Sequence, residues 1–330
     1  MKFIILALFF VNFTFAQVSD FESVDFTLAD HMAKINKGAS LDHLPNLSYN
    51  LTHKLQTDVE KFRAIYTWVC KNIKADINQE NTIFKKKRKY QNDSLKFIKW
   101  NNQYLKTVFG TLLKDKKTMC TGYAYLIKEL CLFANIECEI INGYGRSITS
   151  NVNKLEIANH SWNAVKLNDK WYLCDATWSS GYTIGNTFMS DFNDGYFLTD
   201  PILFSKSHYP LQEKWLLIDS LTPTQFTNSP LIYSESFKHK IIPINPNEMH
   251  ISIKRNHKID FSFKSLKQIT NHTISLIKYN GIEEITFEVS NLKNENGTIS
   301  FDYTFKRKGL YDVHLKINND IVATYVIQVS

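Results

Sequence analysis

The residues able to do chemistry fall in two short stretches. The first is Met119-Cys120-Thr121-Gly122-Tyr123-Ala124. After it, Ala124, Ile127, Leu130, Cys131 and Ala134 recur at helical spacing, which predicts a helix to Ala134 with Thr118 as its N-cap. Cys120 then lies in the first turn, where unpaired backbone N–H groups and the helix dipole favour a negative sulfur. The thiolate is the nucleophilic form of cysteine. Gly122 has no side chain to block approach to the sulfur, and the Cys120 backbone N–H is a natural oxyanion donor. A cysteine by itself is more often a small buried hydrophobe, so the reading needs a base.

The second stretch supplies one. Residues 159–167 (Asn-His-Ser-Trp-Asn-Ala-Val-Lys-Leu) read as a strand, Asn168-Asp169 as a two-residue turn, and 170–178 (Lys-Trp-Tyr-Leu-Cys-Asp-Ala-Thr-Trp) as the returning strand. Leu167 then pairs with Lys170, Trp162 with Asp175, and His160 with Thr177. His160 and Asp175 become diagonal neighbours on one face, with Cβ atoms somewhat under ~7–8 Å apart, within reach of a hydrogen bond. A one-residue slip would send Asp175 to the other face.

Other elements must hold these groups. Val59, Phe62, Ile65, Tyr66, Val69 and Ile73 form one apolar face, so residues 58–74 read as a helix packed behind the nucleophile helix. One helix is expected near 26–35, followed by an extended lead-in. Residues 137–142 alternate as a strand. Residues 143–158 read as a loop beside the site and 179–194 as a polar rim loop. Asp191, Asn193 and Asp194 lack the spacing of a calcium loop. Trp162, Trp171 and Trp178 read as core and cleft wall, and His208 as structural.

These motifs carry a resemblance. Cys-x-Gly-Tyr-Ala, His-x-Trp-Asn-x-Val and Trp-Tyr-x-x-Asp-x-Thr-Trp are similar to those of the transglutaminase-like superfamily of papain-type Cys-His-Asp folds, and in particular to its kyphoscoliosis-peptidase-like branch. Residues 64–73, 196–204, His208-Tyr209-Pro210 and Trp215 extend the likeness over roughly 58–218. The sequence departs from the pattern at Ala75-Asp76, at Leu216 and in a long lysine-rich insertion before Cys120. The resemblance implies Cys120, His160 and Asp175 as catalytic residues, with Gly122, Tyr123 and Trp162 at the oxyanion site or cleft, no metal and no cofactor. It implies an α+β fold in which a transglutaminase-like, papain-like domain packs helices on an antiparallel sheet.

At 330 residues the chain has room for two domains. Residues 1–16 read as a secretory signal peptide, with a positive start, an apolar core too short to span a bilayer, and small residues before Gln17. The expected location is therefore outside the cytoplasm: periplasmic, cell-surface or secreted. Later segments offer no transmembrane span. Five cysteines remain; if Cys120 is free, Cys70, Cys131, Cys138 and Cys174 allow three pairings, or stay as buried thiols. The net charge of +7 is modest, and Lys85-Lys86-Lys87-Arg88-Lys89 supplies much of it. That run reads as a solvated insertion loop within 78–117, beside a helix near 104–113, and nucleic acid is not expected as a partner.

Beyond 17–220, residues 221–249 read as a linker. From 250 to 330 the pattern has period two, with turns at Asn280-Gly281, Asn296-Gly297 and Asn318-Asn319, which predicts an immunoglobulin-like β-sandwich. Two functions follow. One is an exported cysteine enzyme acting on amide or acyl bonds of proteins or peptides, by hydrolysis or transfer. The alternative is a binding or scaffold protein that keeps the fold with little turnover.

Overall fold

The computed structural model describes residues 19–267 and 272–330. The stretch 1–16, read from the sequence as a signal peptide, lies outside them. Helix α1 (Thr27–Ile35) falls where the pattern placed it. Helix α2 (Leu44–Thr52) replaces the expected extended lead-in: Pro45 sits in its first turn, where a missing N–H costs nothing. Helix α3 (Asp58–Asn72) starts from a Thr57/Glu60 capping box and buries Val59, Phe62, Ile65, Tyr66 and Val69.

The 78–117 insertion is a helical hairpin rather than a loop. Asp76 caps α4 (Ile77–Lys89) and Asp93 caps α5 (Ser94–Asp115). Strands β1 (Lys74–Ala75) and β2 (Lys117–Thr118) pair in parallel and close its base. Lys86, Lys87, Arg88 and Lys89 of the basic run form the last turn of α4, where the dipole favours cations. Helix α6 (Cys120–Phe133) follows β2 closely, with Met119 rather than Thr118 at the N-cap position and no side-chain cap.

The central sheet is β3 (Cys138–Gly145), β4 (His160–Leu167), β5 (Lys170–Cys174) and β8 (His208–Pro210), in the order β5-β4-β3-β8, all antiparallel. The register of β4 and β5 is the expected one, Leu167 opposite Lys170 through Asn163 opposite Cys174. Asn168 and Asp169 have φ of 49° and 61°, the left-handed pair that a tight hairpin requires. The returning strand, however, stops at Cys174. Asp175 leaves the ladder and caps α7 (Ala176–Ser180), so His160 and Thr177 never pair. The rim loop contains a hairpin of β6 (Gly181–Ile184) and β7 (Thr187–Ser190). Helix α8 (Pro201–Phe204) leads into β8.

Residues 221–249 are structured, not a linker. They form α9 (Pro223–Asn228), β9 (Leu231–Ile232), α10 (Ser234–His239) and β10 (Ile241–Asn245). β9 and β10 already belong to the sandwich: β9 pairs with β18 (Asp320–Val329) and β10 with β12 (Lys258–Ser265). One sheet runs β10-β12-β16-β15, with β15 at Ser290–Glu295 and β16 at Thr298–Thr304. The other runs β11-β18-β17-β13-β14, with β11 at His250–Ile253, β13 at Ile274–Asn280, β14 at Glu283–Phe287 and β17 at Gly309–Ile317. The inward residues Phe261, Phe263, Ile299, Val313, Leu315 and Tyr325 are all buried.

One apolar core joins the halves. Trp162, Tyr196 and Phe204 of the first pack through Phe237 into Phe261 and Tyr325 of the second. Tyr196 and Phe237 stack at 4.1 Å. All five cysteines are buried free thiols. Among the described residues, no helix is long and apolar enough to cross a membrane.

Candidate active site

Cys120 opens α6, His160 opens β4, and both line a cleft of about 600 Å³. Two contacts fix the helix against the strand. Asn163 Nδ2 donates to the Ala124 carbonyl at 3.0 Å, and the Thr121 and Ser161 hydroxyls lie 3.4 Å apart. Asp76 and Glu80 border the cleft from the α4 side, with Trp178 and Tyr182 also in its wall.

His160 Nε2 lies 2.7 Å from Asp175 Oδ2. The same oxygen takes a second imidazole, His208 Nε2, at 3.1 Å. Oδ1 accepts from the N–H groups of Thr177 at 2.8 Å and Trp178 at 3.2 Å. The cap of α7 thus aims the carboxylate, and every hydrogen bond a buried carboxylate needs is supplied by protein. Tyr66 of α3 donates to the Asp175 carbonyl at 2.9 Å, holding its backbone. His208 is anchored in turn by Ser207 Oγ, 3.0 Å from its Nδ1, and by stacking on Phe204 at 3.9 Å. Trp178 stacks on His160 at 4.7 Å and packs tilted against His208 at 4.5 Å.

The charges follow from these contacts. Burial pushes Asp175 up, but the His160 charge and the hydrogen bonds from both imidazoles outweigh it and hold the carboxyl well below its usual range. Burial disfavours a cation at His160; Asp175 and a hydrogen bond with Cys120 overcome this and raise it to about 10. His208 shares the carboxylate but not the sulfur, and burial brings it down to about 4. Near neutral pH the cluster is therefore an imidazolium, a carboxylate and a neutral imidazole. With Nε2 of His160 on Asp175, Nδ1 is the nitrogen left for the sulfur.

His160, Asp175 and His208 also form the one group of possible metal donors among the described residues, their atoms within 4.8 Å of one another. Separations of 2.7 and 3.1 Å fit N–H···O hydrogen bonds, and the donors are read that way.

Three expected site residues lie elsewhere. Gly122 does not open the sulfur: a Cβ there would stand 1.9 Å from Thr118 Oγ1, so the glycine is required by the β2–α6 packing. Tyr123 is fully buried and its hydroxyl donates to the Ile73 carbonyl at 2.8 Å. Trp162 is buried beneath the His160 ring, with centroids 6.0 Å apart, and takes no part in the cleft lining. Trp171 lines a separate cavity with Trp215. Asp194 pairs with Arg63, and Asn193 caps its own turn. His208 and Tyr66 as partners of Asp175 went unread. His208 offered a signal, a histidine beside Pro210 that β8 returns to the sheet; Tyr66 looked like ordinary core.

Residues 45–176 match the family model described as the transglutaminase-like superfamily, a span that contains Cys120, His160 and Asp175. The chain is 30% identical over 234 residues to the kyphoscoliosis peptidase of Homo sapiens, covering 69% of this chain and 32% of that protein. It is 28% identical over 237 residues to Hillarin of Drosophila melanogaster, covering 67% and 26%. The chain thus spans about a third of the length of the human protein it matches. Among solved structures, one described as a crystal structure of a TGase aligns with a TM-score of 0.29 and 17% identity, covering 55% of this chain and 41% of that one. Motif, matched span and antiparallel architecture agree: residues 45–176 form a domain of the transglutaminase-like superfamily.

Proposed function

We propose that this domain is an exported cysteine enzyme that attacks amide or acyl carbons of proteins or peptides. The observation that carries the reading is the Asp175-held His160 imidazolium sharing one cleft with Cys120. With its proton held on His160, the Cys120 thiolate adds to the acyl carbon, and the carbonyl π electrons move onto the oxygen. The oxyanion meets the Cys120 backbone N–H, which at the first position of α6 has no intrahelical acceptor. His160 gives its proton to the leaving amine, and Asp175 keeps the ring oriented. Water then releases an acid, or an amine takes the acyl group in transfer. Export rests on the leader read at 1–16. The test is to incubate purified protein with peptide pools, with and without an amine donor, and compare wild type with Cys120→Ala by mass spectrometry. Products or covalent adducts from wild type alone support the enzyme. Identical spectra from both proteins refute it and leave the scaffold reading.

A further inference from the structure

The α4–α5 hairpin projects a charge that the cleft chemistry does not use. Between positions 85 and 99 stand seven cations, Lys85, Lys86, Lys87, Arg88, Lys89, Lys96 and Lys99, and one acid, Asp93. The span therefore carries +6 of the chain's +7. Two of the cations already have partners: Lys87 donates to the Ala158 carbonyl, and Lys96 makes an exposed pair with Asp93 at 2.8 Å. The others crown the tip. Lys86 lies over the Trp100 ring at 5.2 Å, Lys89 over Tyr90 at 5.6 Å and Arg88 over Phe84 at 5.8 Å.

Apolar side chains are exposed on the first turns of α5, at the same end of the hairpin. Leu95 is 78% exposed and Ile98 51%. At 100° per residue, Leu95, Ile98 and Lys99 fall within about a third of the circumference of α5. The aromatic rings of the hairpin are instead stacked on one another, Trp100 on Tyr104 at 4.9 Å. Exposed aliphatics among clustered cations suit a lipid surface, where headgroups meet the charge and the acyl boundary takes the aliphatics. Nucleic acid would call for exposed rings to stack on bases.

We propose that the tip of the α4–α5 hairpin docks on an anionic lipid surface through Lys85, Lys86, Arg88 and Lys89, with Leu95 and Ile98 entering the headgroup layer. The test is co-sedimentation of the full chain with phosphatidylcholine vesicles, with and without phosphatidylglycerol. Binding is expected only with the anionic lipid and falls as salt rises. Replacing Lys85, Lys86, Arg88 and Lys89 together by Ser lowers the partition constant by about two to three orders of magnitude, taking about 1 kcal/mol for each cation. The Leu95→Ser/Ile98→Ser pair weakens binding at unchanged charge. These side chains are at the tip, so an unchanged melting temperature shows that both variants fold. Equal binding to uncharged vesicles, or wild-type binding by the Ser variant, overturns the proposal. Equally tight binding to DNA that ignores Leu95 and Ile98 overturns it in favour of a polyanion partner.

Discussion

Replacing His208 by Gln separates two effects of one buried imidazole. In the folded chain His208 titrates near about 4, because burial disfavours its cation. In the unfolded chain it titrates near about 6.5. Between those values the unfolded state binds a proton that the folded state refuses. Stability from this group is fully present above pH ~6.5 and is lost as pH falls toward about 4. The slope approaches about 1.4 kcal/mol per pH unit, for a total on the order of 3 kcal/mol. The neighbouring groups act outside this window. Asp175, held low, loses its contribution only below ~3.9; His160, held high, contributes fully below ~6.5 and loses it toward about 10. Gln has no titrating ring, and its amide can still donate to Asp175. His208→Phe keeps the stack on Phe204 but removes the donor, costing ~1.5–3 kcal/mol at every pH above about 4. Urea unfolding followed by tryptophan fluorescence, from about pH 4.5 to 6.5, reads both effects. Wild type should lose stability toward acid, the Gln variant should be nearly flat over the same range, and the Phe variant should be flat but lower. A Gln variant with the wild-type slope would refute the buried neutral imidazole.

Gly122→Ala should destabilise by ~1–3 kcal/mol through overpacking. Turning the Thr118 side chain cannot relieve the clash, because its Cβ itself lies 2.8 Å from the new methyl; Thr118→Gly should therefore rescue the melting temperature better than Thr118→Ala. Arg63 is buried and ties the part-exposed Asp30 of α1 to Asp194, so Arg63→Met should cost ~1.5–3 kcal/mol by chemical denaturation; a loss within experimental error would show these pairs to be surface-like. If the proposed chemistry holds, Asp175→Asn should lower turnover by up to ~10⁴-fold, with circular dichroism close to wild type. Equal turnover would remove Asp175 from the reaction. His160→Ala should slow iodoacetamide labelling of Cys120 at neutral pH, read by mass spectrometry; unchanged labelling would show that the imidazole does not act on the sulfur.

Much was legible because it is local. Helical spacing after Cys120 and the Asn168-Asp169 turn follow from short-range geometry, and with the turn came the β4–β5 register. That register put His160 and Asp175 on one side of the sheet from letters alone. The end of the second strand was not legible. Asp175 prefers capping two free N–H groups to staying in a ladder, and that choice depends on Tyr66 and His208 waiting around it. The basic run was misjudged as a loop because charge density signals solvent exposure, not backbone conformation; Asp76 and Asp93 as caps were the missed signs. The supposed linker was misread because its strands are two and five residues long, too short for a periodic signal, and gain their order only by pairing with β18 and β12.

Periodicity and spacing gave the nucleophile helix, the β4–β5 hairpin and the sandwich, and the resemblance implied the fold class and the set Cys120, His160 and Asp175. Only the folded molecule decided how Asp175 is held, that a second histidine shares its charge, that Gly122 serves packing, and that five thiols stay unbridged. Those outcomes join residues distant in sequence, such as Tyr66 with Asp175, and no pattern within one segment records which distant partner a buried polar group will find.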